Sequence, residues 1–157
     1  MIRILFICLG NICRSPMAEF VFKDMVERRG LADQFYIASA ATSDEEHGNP
    51  VRRGTREKLK EHGISTAGKY AVQLKKSDYE NYDYLIGMEK WNISGIMRII
   101  GSDPEHKVSR LLDFSSRPRD IADPWYTGNF DVTYDDIVEG CQALLRHLEE
   151  NGEIGSV

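Results

Sequence analysis

Cysteine is scarce in this sequence, and a long apolar run is missing from it. The three cysteines among 157 residues are an odd number, and no secretory targeting segment is visible. Such a chain suits the reducing cytosol better than an oxidising compartment. No apolar run approaches the about 18 residues from which a membrane-spanning helix is built. We therefore expect a cytoplasmic protein without a membrane span.

Metal ligands and clustered positive charge are also lacking. Cys8 and Cys13 have four residues between them, but neither a second cysteine pair nor a close histidine cluster completes a tetrahedral metal site. The formal net charge of −5 argues against nucleic acid as the main partner. The basic residues are dispersed apart from the pair Arg52-Arg53, which we interpret as part of a solvated helix face.

The chain does contain a regular alternation of apolar segments. Strands are predicted at 2–7, 35–40, 82–88 and 108–114, and helices at 15–29, 50–62, 90–100 and 133–149, with an irregular segment at 115–129. This alternation indicates an α/β fold: a three-layer sandwich in which a four-stranded parallel sheet has helices on both faces. The length fits one domain, 1–157, which we expect to be a monomer with a flexible tail at 151–157.

The stretch CLGNICRS, residues 8–15, connects the first strand to the first helix at the carboxyl end of the sheet, where such folds bind ligands. Ser15 and Pro16 form a strong helix start. Backbone amides of such a loop, beside a helix N-terminus, bind a tetrahedral anion. Arg14 adds a planar fork of donors for two phosphate oxygens. The same positive field is expected to lower the pKa of the Cys8 thiol, which would make it a thiolate nucleophile.

This combination of an anion cradle and a nucleophile predicts cleavage of phosphate esters through a phosphocysteine. Cys8 is the predicted nucleophile, and Arg14 holds the phosphate during catalysis. Ser15 donates to the Cys8 sulfur and so eases its departure. No metal or other cofactor is required, because Arg14 and the amides supply the positive charge. The predicted phosphate-binding residues are Leu9, Gly10, Asn11, Ile12, Cys13, Arg14 and Ser15.

Expelling a phenolate needs a proton that this loop does not have. The donor must be a carboxylic acid from another segment, buried enough to stay protonated. Asp120 and Asp123 in the irregular segment are the two candidates. Asp123 is followed by Pro124-Trp125-Tyr126, where the proline stiffens the backbone and the two aromatic rings can enclose a phenyl ring.

Four stretches together resemble the low-molecular-weight protein tyrosine phosphatase family: CLGNICRS at 8–15, SAATS at 39–43, GNP at 48–50 and DPWY at 123–126. The likeness runs from Met1 to about Leu148. It implies that Asp123 is the general acid and base, because the acid of the family precedes the proline–aromatic pair. It also implies that the substrates are phosphotyrosine proteins or small aryl phosphates, with inorganic phosphate as product.

Two positions depart from the pattern of this family. Glu45 stands in a cleft wall that often carries an aromatic residue, and an acidic wall favours basic phosphopeptides; the alternative is a solvated charged loop. Lys69 aligns with a histidine that braces the phosphate loop, so Asn11 must be supported differently here. The predicted substrate-binding residues are Leu9, Ile12, Glu45, Trp125 and Tyr126.

Three alternatives remain open from the sequence. Cys13 either captures an oxidised Cys8 as a disulfide, since the family often has a cysteine here, or packs under the loop. A thiol-dependent arsenate reductase of the same fold would need further cysteines near the end of the third strand, where Gly87 and Met88 stand. A non-catalytic phosphotyrosine-binding module would not need its nucleophile and acid.

Overall fold

The structure is a computed structural model that describes residues 1–155. Four parallel strands lie in the order β2-β1-β3-β4. They are β1 Ile2–Cys8, β2 Phe35–Ala41, β3 Tyr84–Gly87 and β4 Val108–Arg110. The helices are α1 Arg14–Arg28, α2 Arg53–Lys60, α3 Asp78–Asn81, α4 Lys90–Ile100, α5 Pro124–Thr127 and α6 Phe130–Glu150. The predicted α/β fold is confirmed.

The central strand β1 supplies apolar side chains to both faces of the sheet. Ile4 and Phe6 point into the larger core, which packs against α1 and α6. Leu5 and Ile7 point into a smaller core with residues of α4. Side chains alternate along a strand, so an unbroken apolar run is what a strand buried on both faces requires. The sheet therefore lies between two helical layers.

The predicted fourth strand, 108–114, is wrong in its second half. Strand β4 ends at Arg110, and Leu111–Phe114 forms a 3-10 helix. The Asp113 carboxylate accepts a hydrogen bond from the Arg110 backbone N–H at 2.8 Å and two more from the Arg110 guanidinium. This local pairing turns the chain after Arg110. Leu111 is still buried in the core, but it lies in a helical segment and not in a strand.

Other observed boundaries also differ from the predicted ones. Pro50 forms an antiparallel bridge with Tyr70, and α2 begins only at Arg53. The irregular segment contains the short helix α5. Helix α6 begins at Phe130, three residues before the predicted start, because the Asn129 side chain caps it by accepting from the Val132 N–H at 3.0 Å.

The predicted flexible tail makes specific contacts in its described part. The Tyr84 hydroxyl lies 2.6 and 2.8 Å from the two carboxylate oxygens of Glu153. Ile154 packs against the larger core, and the Gly155 N–H donates to Gln34 Oε1 at 2.7 Å. Residues 156 and 157 lie outside the described residues. None of the helices within 1–155 combines the length and the apolar character needed to cross a membrane.

Candidate active site

The loop between β1 and α1 curls around the Cys8 sulfur. Helix α1 begins at Arg14, so Ser15 lies in its first turn and does not cap it. Asn11 adopts a left-handed conformation with φ of 59°, which asparagine tolerates better than most residues. Within the described chain, the N–H groups of Gly10, Ile12 and Arg14 donate to no other group, so they are available to an anion.

The Cys8 sulfur has two polar neighbours within the loop. Ser15 Oγ lies 3.0 Å from Cys8 Sγ, and the Asn11 backbone N–H donates to the same sulfur at 3.3 Å. When Ser15 is the donor, both contacts favour a negatively charged sulfur. Ser15 therefore lies where the sequence predicts a donor for the nucleophile.

The Asn11 side chain holds the loop in shape. Its amide Nδ2 donates to Ser15 Oγ at 2.8 Å and to Ser39 Oγ at 3.0 Å. Its Oδ1 accepts from the Val72 backbone N–H at 3.1 Å. Asn11 is 1% exposed, and these three bonds fix a backbone conformation that would otherwise be costly.

Lys69 lies behind this network, with Ser39 between it and Asn11. Lys69 Nζ donates to the Ser39 carbonyl oxygen at 2.9 Å and lies 3.7 Å from a Glu19 carboxylate oxygen. The Ser39 hydroxyl donates to that same carboxylate at 2.5 Å. Burial lowers the pKa of Lys69, while the negative Glu19 opposes this effect. Asn11 is thus supported through Ser39, and Lys69 supports Ser39.

We expect Lys69→Met to destabilise the protein by about 1–3 kcal/mol, because it removes the ammonium that donates to the Ser39 carbonyl oxygen and one of the two lysines beside the buried Glu19 carboxylate. The loop should shift slightly, which would lower kcat/KM for an aryl phosphate by about 3- to 10-fold. Urea unfolding and steady-state kinetics measure both effects. Lys23→Met is the matched control, because Lys23 binds the same carboxylate at 2.5 Å from a more exposed position. Equal losses in the two variants would contradict a special role for Lys69.

Arg14 is held from behind by three groups on other segments. Its Nη1 donates to Glu89 Oε2 at 2.6 Å and to the Ile121 carbonyl oxygen at 2.8 Å, and its Nη2 lies 3.4 Å from Asp123 Oδ2. Arg14 is 2% exposed. The sequence did not indicate Glu89 as a site residue, although its place directly after a strand end was an available signal. These anchors orient the guanidinium toward the loop.

The structure separates the two candidate acids. Asp123 is the N-cap of α5, where its Oδ1 accepts from the Trp125 N–H at 3.0 Å. Its other oxygen lies beside Arg14. Asp120 is already bound by the Lys90 N–H and by Arg110, each at 3.0 Å. Of the two candidates, Asp123 is therefore the one that lies at the loop.

Most of the predicted site residues line one cavity of about 180 Å³. Asn11 and Ser15 lie beneath the loop and do not line it. Ser43 and Glu46 line it as well, although the sequence analysis did not select them. The lining residues that were predicted are Cys8, Leu9, Gly10, Ile12, Cys13, Arg14, Glu45, Asp123, Trp125 and Tyr126.

Arg52 corrects the interpretation of the basic pair as a solvated face. Arg53 does lie on an exposed helix face, paired with Glu57 at 2.8 Å. The Arg52 guanidinium instead lies over the Trp125 ring, 3.8 Å from its centroid. The Arg52 backbone N–H donates to the Ile12 carbonyl oxygen at 2.8 Å. This stacked cation holds one wall of the cavity, a contact between distant segments that no local sequence pattern marks.

The fold and the site together define a class of protein. It is an α/β protein in which the loop between the first strand and the first helix places a cysteine and an arginine, Cys8 and Arg14, at one small cavity. Within residues 1–155, no three His, Cys, Asp or Glu side chains are grouped so that they could hold a metal ion. A family model described as low molecular weight phosphotyrosine protein phosphatase matches residues 3–154. The chain belongs to this family, and it is therefore an enzyme that hydrolyses phosphate monoesters.

Individual relatives are similar over almost the whole chain. Low molecular weight protein-tyrosine-phosphatase YfkJ of Bacillus subtilis is 39% identical over 156 residues, covering 98% of this chain and 100% of YfkJ. The crystal structure of YfkJ matches with a TM-score of 0.91, 40% identity and 96% of each chain covered. A low molecular weight protein tyrosine phosphatase from Streptococcus pyogenes matches with a TM-score of 0.84, 39% identity and coverage of 94% and 93%.

A structure of the arginine phosphatase YwlE is similar at lower identity. It matches with a TM-score of 0.82 and 28% identity, and the match covers 94% of this chain and 96% of YwlE. That structure is of a cysteine-to-serine mutant with a phosphorylated active-site serine. The same fold is therefore present in phosphatases described for two different amino acids.

Proposed function

We propose that this enzyme hydrolyses phosphotyrosine in proteins, and small aryl phosphates, through a phosphocysteine on Cys8. The observation that carries the proposal is that Cys8, Arg14 and Asp123 line a single cavity. The cavity lies at the carboxyl end of β1, where a phosphate can meet the free loop amides and the Arg14 guanidinium together.

In the first step, the Cys8 thiolate attacks phosphorus while Arg14 and the loop amides hold the other phosphate oxygens. A sulfur–phosphorus bond forms, and the bond from phosphorus to the phenolic oxygen breaks. Asp123 gives its proton to the departing oxygen, so that a phenol rather than a phenolate leaves. The YwlE structure supports this step, since its active-site serine, which replaces a cysteine, carries the phosphoryl group.

In the second step, the Asp123 carboxylate takes a proton from a water molecule whose oxygen attacks phosphorus. The sulfur–phosphorus bond breaks, inorganic phosphate leaves, and the Cys8 thiolate is restored. Ser15 lies 3.0 Å from the sulfur and stabilises the charge that returns to it. The positive charge comes from Arg14 and the amides, so the proposed reaction uses no metal or other cofactor.

The walls of the cavity favour an aryl phosphate. Leu9, Ile12, Trp125 and Tyr126 provide apolar and aromatic surface, and Trp125 and Tyr126 are 51% and 79% exposed. A phenyl ring between phosphate and polypeptide can cover these side chains, whereas phosphoserine is too short to do so. Glu45, on the cavity with its neighbour Glu46, favours basic residues around the phosphotyrosine.

The test is a comparison of substrate classes in buffer that contains EDTA. We expect turnover of p-nitrophenyl phosphate and of phosphotyrosine peptides, with kcat/KM for phosphoserine peptides lower by about 100-fold or more. Free phosphoarginine provides the contrast suggested by YwlE, and arsenate with thioredoxin tests the reductase alternative. Preferred hydrolysis of phosphoarginine, or arsenate reduction without aryl phosphate hydrolysis, would overturn the proposal. We also propose that the enzyme is a monomer and that it is located in the cytoplasm.

Cys13 is proposed to capture the Cys8 sulfenic acid that peroxide forms. The Cys13 thiolate would attack the Cys8 sulfur, forming a disulfide and releasing hydroxide. Cys13 is 5% exposed, and its pKa is raised to about 12 by burial and by the nearby negative charges of Cys8 and Asp123. Its thiolate fraction at neutral pH is therefore small, so capture should be slow.

We expect disulfide formation to accelerate by about tenfold for each pH unit between 7 and 9, because the Cys13 thiolate fraction rises in that proportion below its pKa. In Cys13→Ser, activity should survive but peroxide damage should become largely irreversible to dithiothreitol. Cys141→Ala is the control, since Cys141 is buried in α6. Full recovery of Cys13→Ser after reduction would exclude Cys13 as the resolving thiol.

A further inference from the structure

Four exposed large hydrophobic side chains line the phosphate cavity or the space beside it. Three belong to the cavity already described: Leu9, Trp125 and Tyr126. The fourth is Trp91, which is 71% exposed and has no part in the proposed chemistry. An exposed tryptophan beside a substrate cavity indicates a binding surface.

Trp91 lines a second, open cavity of about 530 Å³ that adjoins the phosphate cavity. We call the space bounded by Leu9, Trp91 and Tyr126 the Trp91 groove. The two cavities share Leu9, Tyr126, Arg14 and Asp123 as lining residues. A polypeptide whose phosphotyrosine occupies the first cavity can therefore place a neighbouring residue in the groove.

The helix turn that carries Trp91 is anchored to Arg14, the arginine of the phosphate cavity. Glu89 is the N-cap of α4 and forms a capping box with Asn92, whose Oδ1 accepts from the Glu89 N–H at 3.1 Å. The same Glu89 side chain contacts Arg14 at 2.6 Å. The residue that orients the phosphate-binding arginine thus also starts the helix turn that carries Trp91.

The charged groups of the groove are already paired, which leaves its apolar surface for a ligand. Glu89 binds Arg14, and Asp120 binds Arg110 at 3.0 Å. Lys90 Nζ lies 6.0 Å from the Trp91 ring centroid. Its ammonium group therefore partly covers the ring face to which a cationic ligand would bind. An apolar side chain gains most from the remaining surface, because it covers aromatic rings without displacing any ion pair.

We propose that the Trp91 groove binds an apolar side chain close in sequence to the phosphotyrosine of the substrate polypeptide. This inference rests on the proposed function, because it assigns a specificity subsite to the same reaction. Trp91 and Tyr126 cover the apolar side chain, while the phosphate remains in the loop. Trp91 acts on polypeptide substrates and has no role for a phosphate ester that lacks flanking residues.

The test uses phosphotyrosine peptides that carry either leucine or glycine at each of the three positions before and after the phosphotyrosine, with p-nitrophenyl phosphate as the reference. For wild type, leucine at one or more positions should raise kcat/KM by about five- to tenfold. Trp91→Ala should remove that preference while changing kcat/KM for p-nitrophenyl phosphate by less than about twofold. The control is Tyr36→Ala, which removes an exposed aromatic ring from β2, outside both cavities.

Each result bears on one of the two proposals. Turnover of p-nitrophenyl phosphate without any leucine preference, or with a preference that Trp91→Ala retains, overturns the groove assignment and leaves the proposed function intact. Failure to hydrolyse any aryl phosphate overturns both. A change in oligomeric state of Trp91→Ala by analytical ultracentrifugation, with the leucine preference retained, would make the groove a contact between copies of the chain and would equally overturn the assignment.

Discussion

Cys8→Ser is expected to reduce turnover of p-nitrophenyl phosphate by at least about 10⁴-fold, because a serine hydroxyl in this loop does not ionise as a thiol does. Phosphate or vanadate should still bind, measured by calorimetry. Binding should even become tighter, because the dianion no longer meets a negative sulfur at the base of the loop. The bonds from Asn11 to Ser15 and Ser39 do not involve the sulfur, so the loop should keep its shape.

The control for Cys8→Ser is Cys141→Ala, which removes a buried thiol from α6 and should leave kcat unchanged. Circular dichroism establishes that each variant is folded at the assay temperature. Activity of Cys8→Ser within tenfold of wild type would show that Cys8 is not the nucleophile. Loss of anion binding in a folded Cys8→Ser protein would show instead that the sulfur maintains the loop.

Asp123→Asn is expected to slow the release of poor leaving groups far more than that of good ones. Phenyl phosphate should lose about 10²- to 10³-fold in kcat/KM, the range of general acid catalysis, since phenolate leaves poorly without a proton. p-Nitrophenyl phosphate should lose much less in kcat/KM, because its leaving group is stable as an anion. The measurement is kcat/KM for a series of substituted phenyl phosphates. Its logarithm, plotted against the pKa of the leaving phenol, should fall more steeply for Asp123→Asn than for wild type.

Asp120→Asn is the matched control, because Asp120 lies three residues away and binds Arg110 and the Lys90 N–H instead of the loop. It should leave the slope of the leaving-group plot unchanged. Equal slowing of all aryl phosphates in Asp123→Asn would remove Asp123 from the role of acid. A steeper slope in Asp120→Asn would transfer the role to Asp120.

The most reliable sequence predictions concern features made by neighbouring residues. Strand β1 is recognisable because Leu5 and Ile7 alternate with Ile4 and Phe6 in a run that is apolar on both faces. The phosphate loop was predictable for the same reason, since Cys8 and Arg14 lie six residues apart. Local bonds also produced the main error in the fold, because Asp113 turns the segment after Arg110 into a 3-10 helix.

The sequence by itself determined the α/β architecture and the loop around Cys8, and it reduced the candidates for the proposed acid to Asp120 and Asp123. Only the tertiary structure decided which groups support them. Glu89 reaches Arg14 across 75 positions, Lys69 reaches Ser39 across 30, and Arg52 stacks on Trp125. Parallel strands bring their carboxyl ends to one edge of the sheet, so residues far apart in the chain become neighbours there. Such partners leave no periodic pattern in the sequence, because each contact depends on how several separate elements pack together.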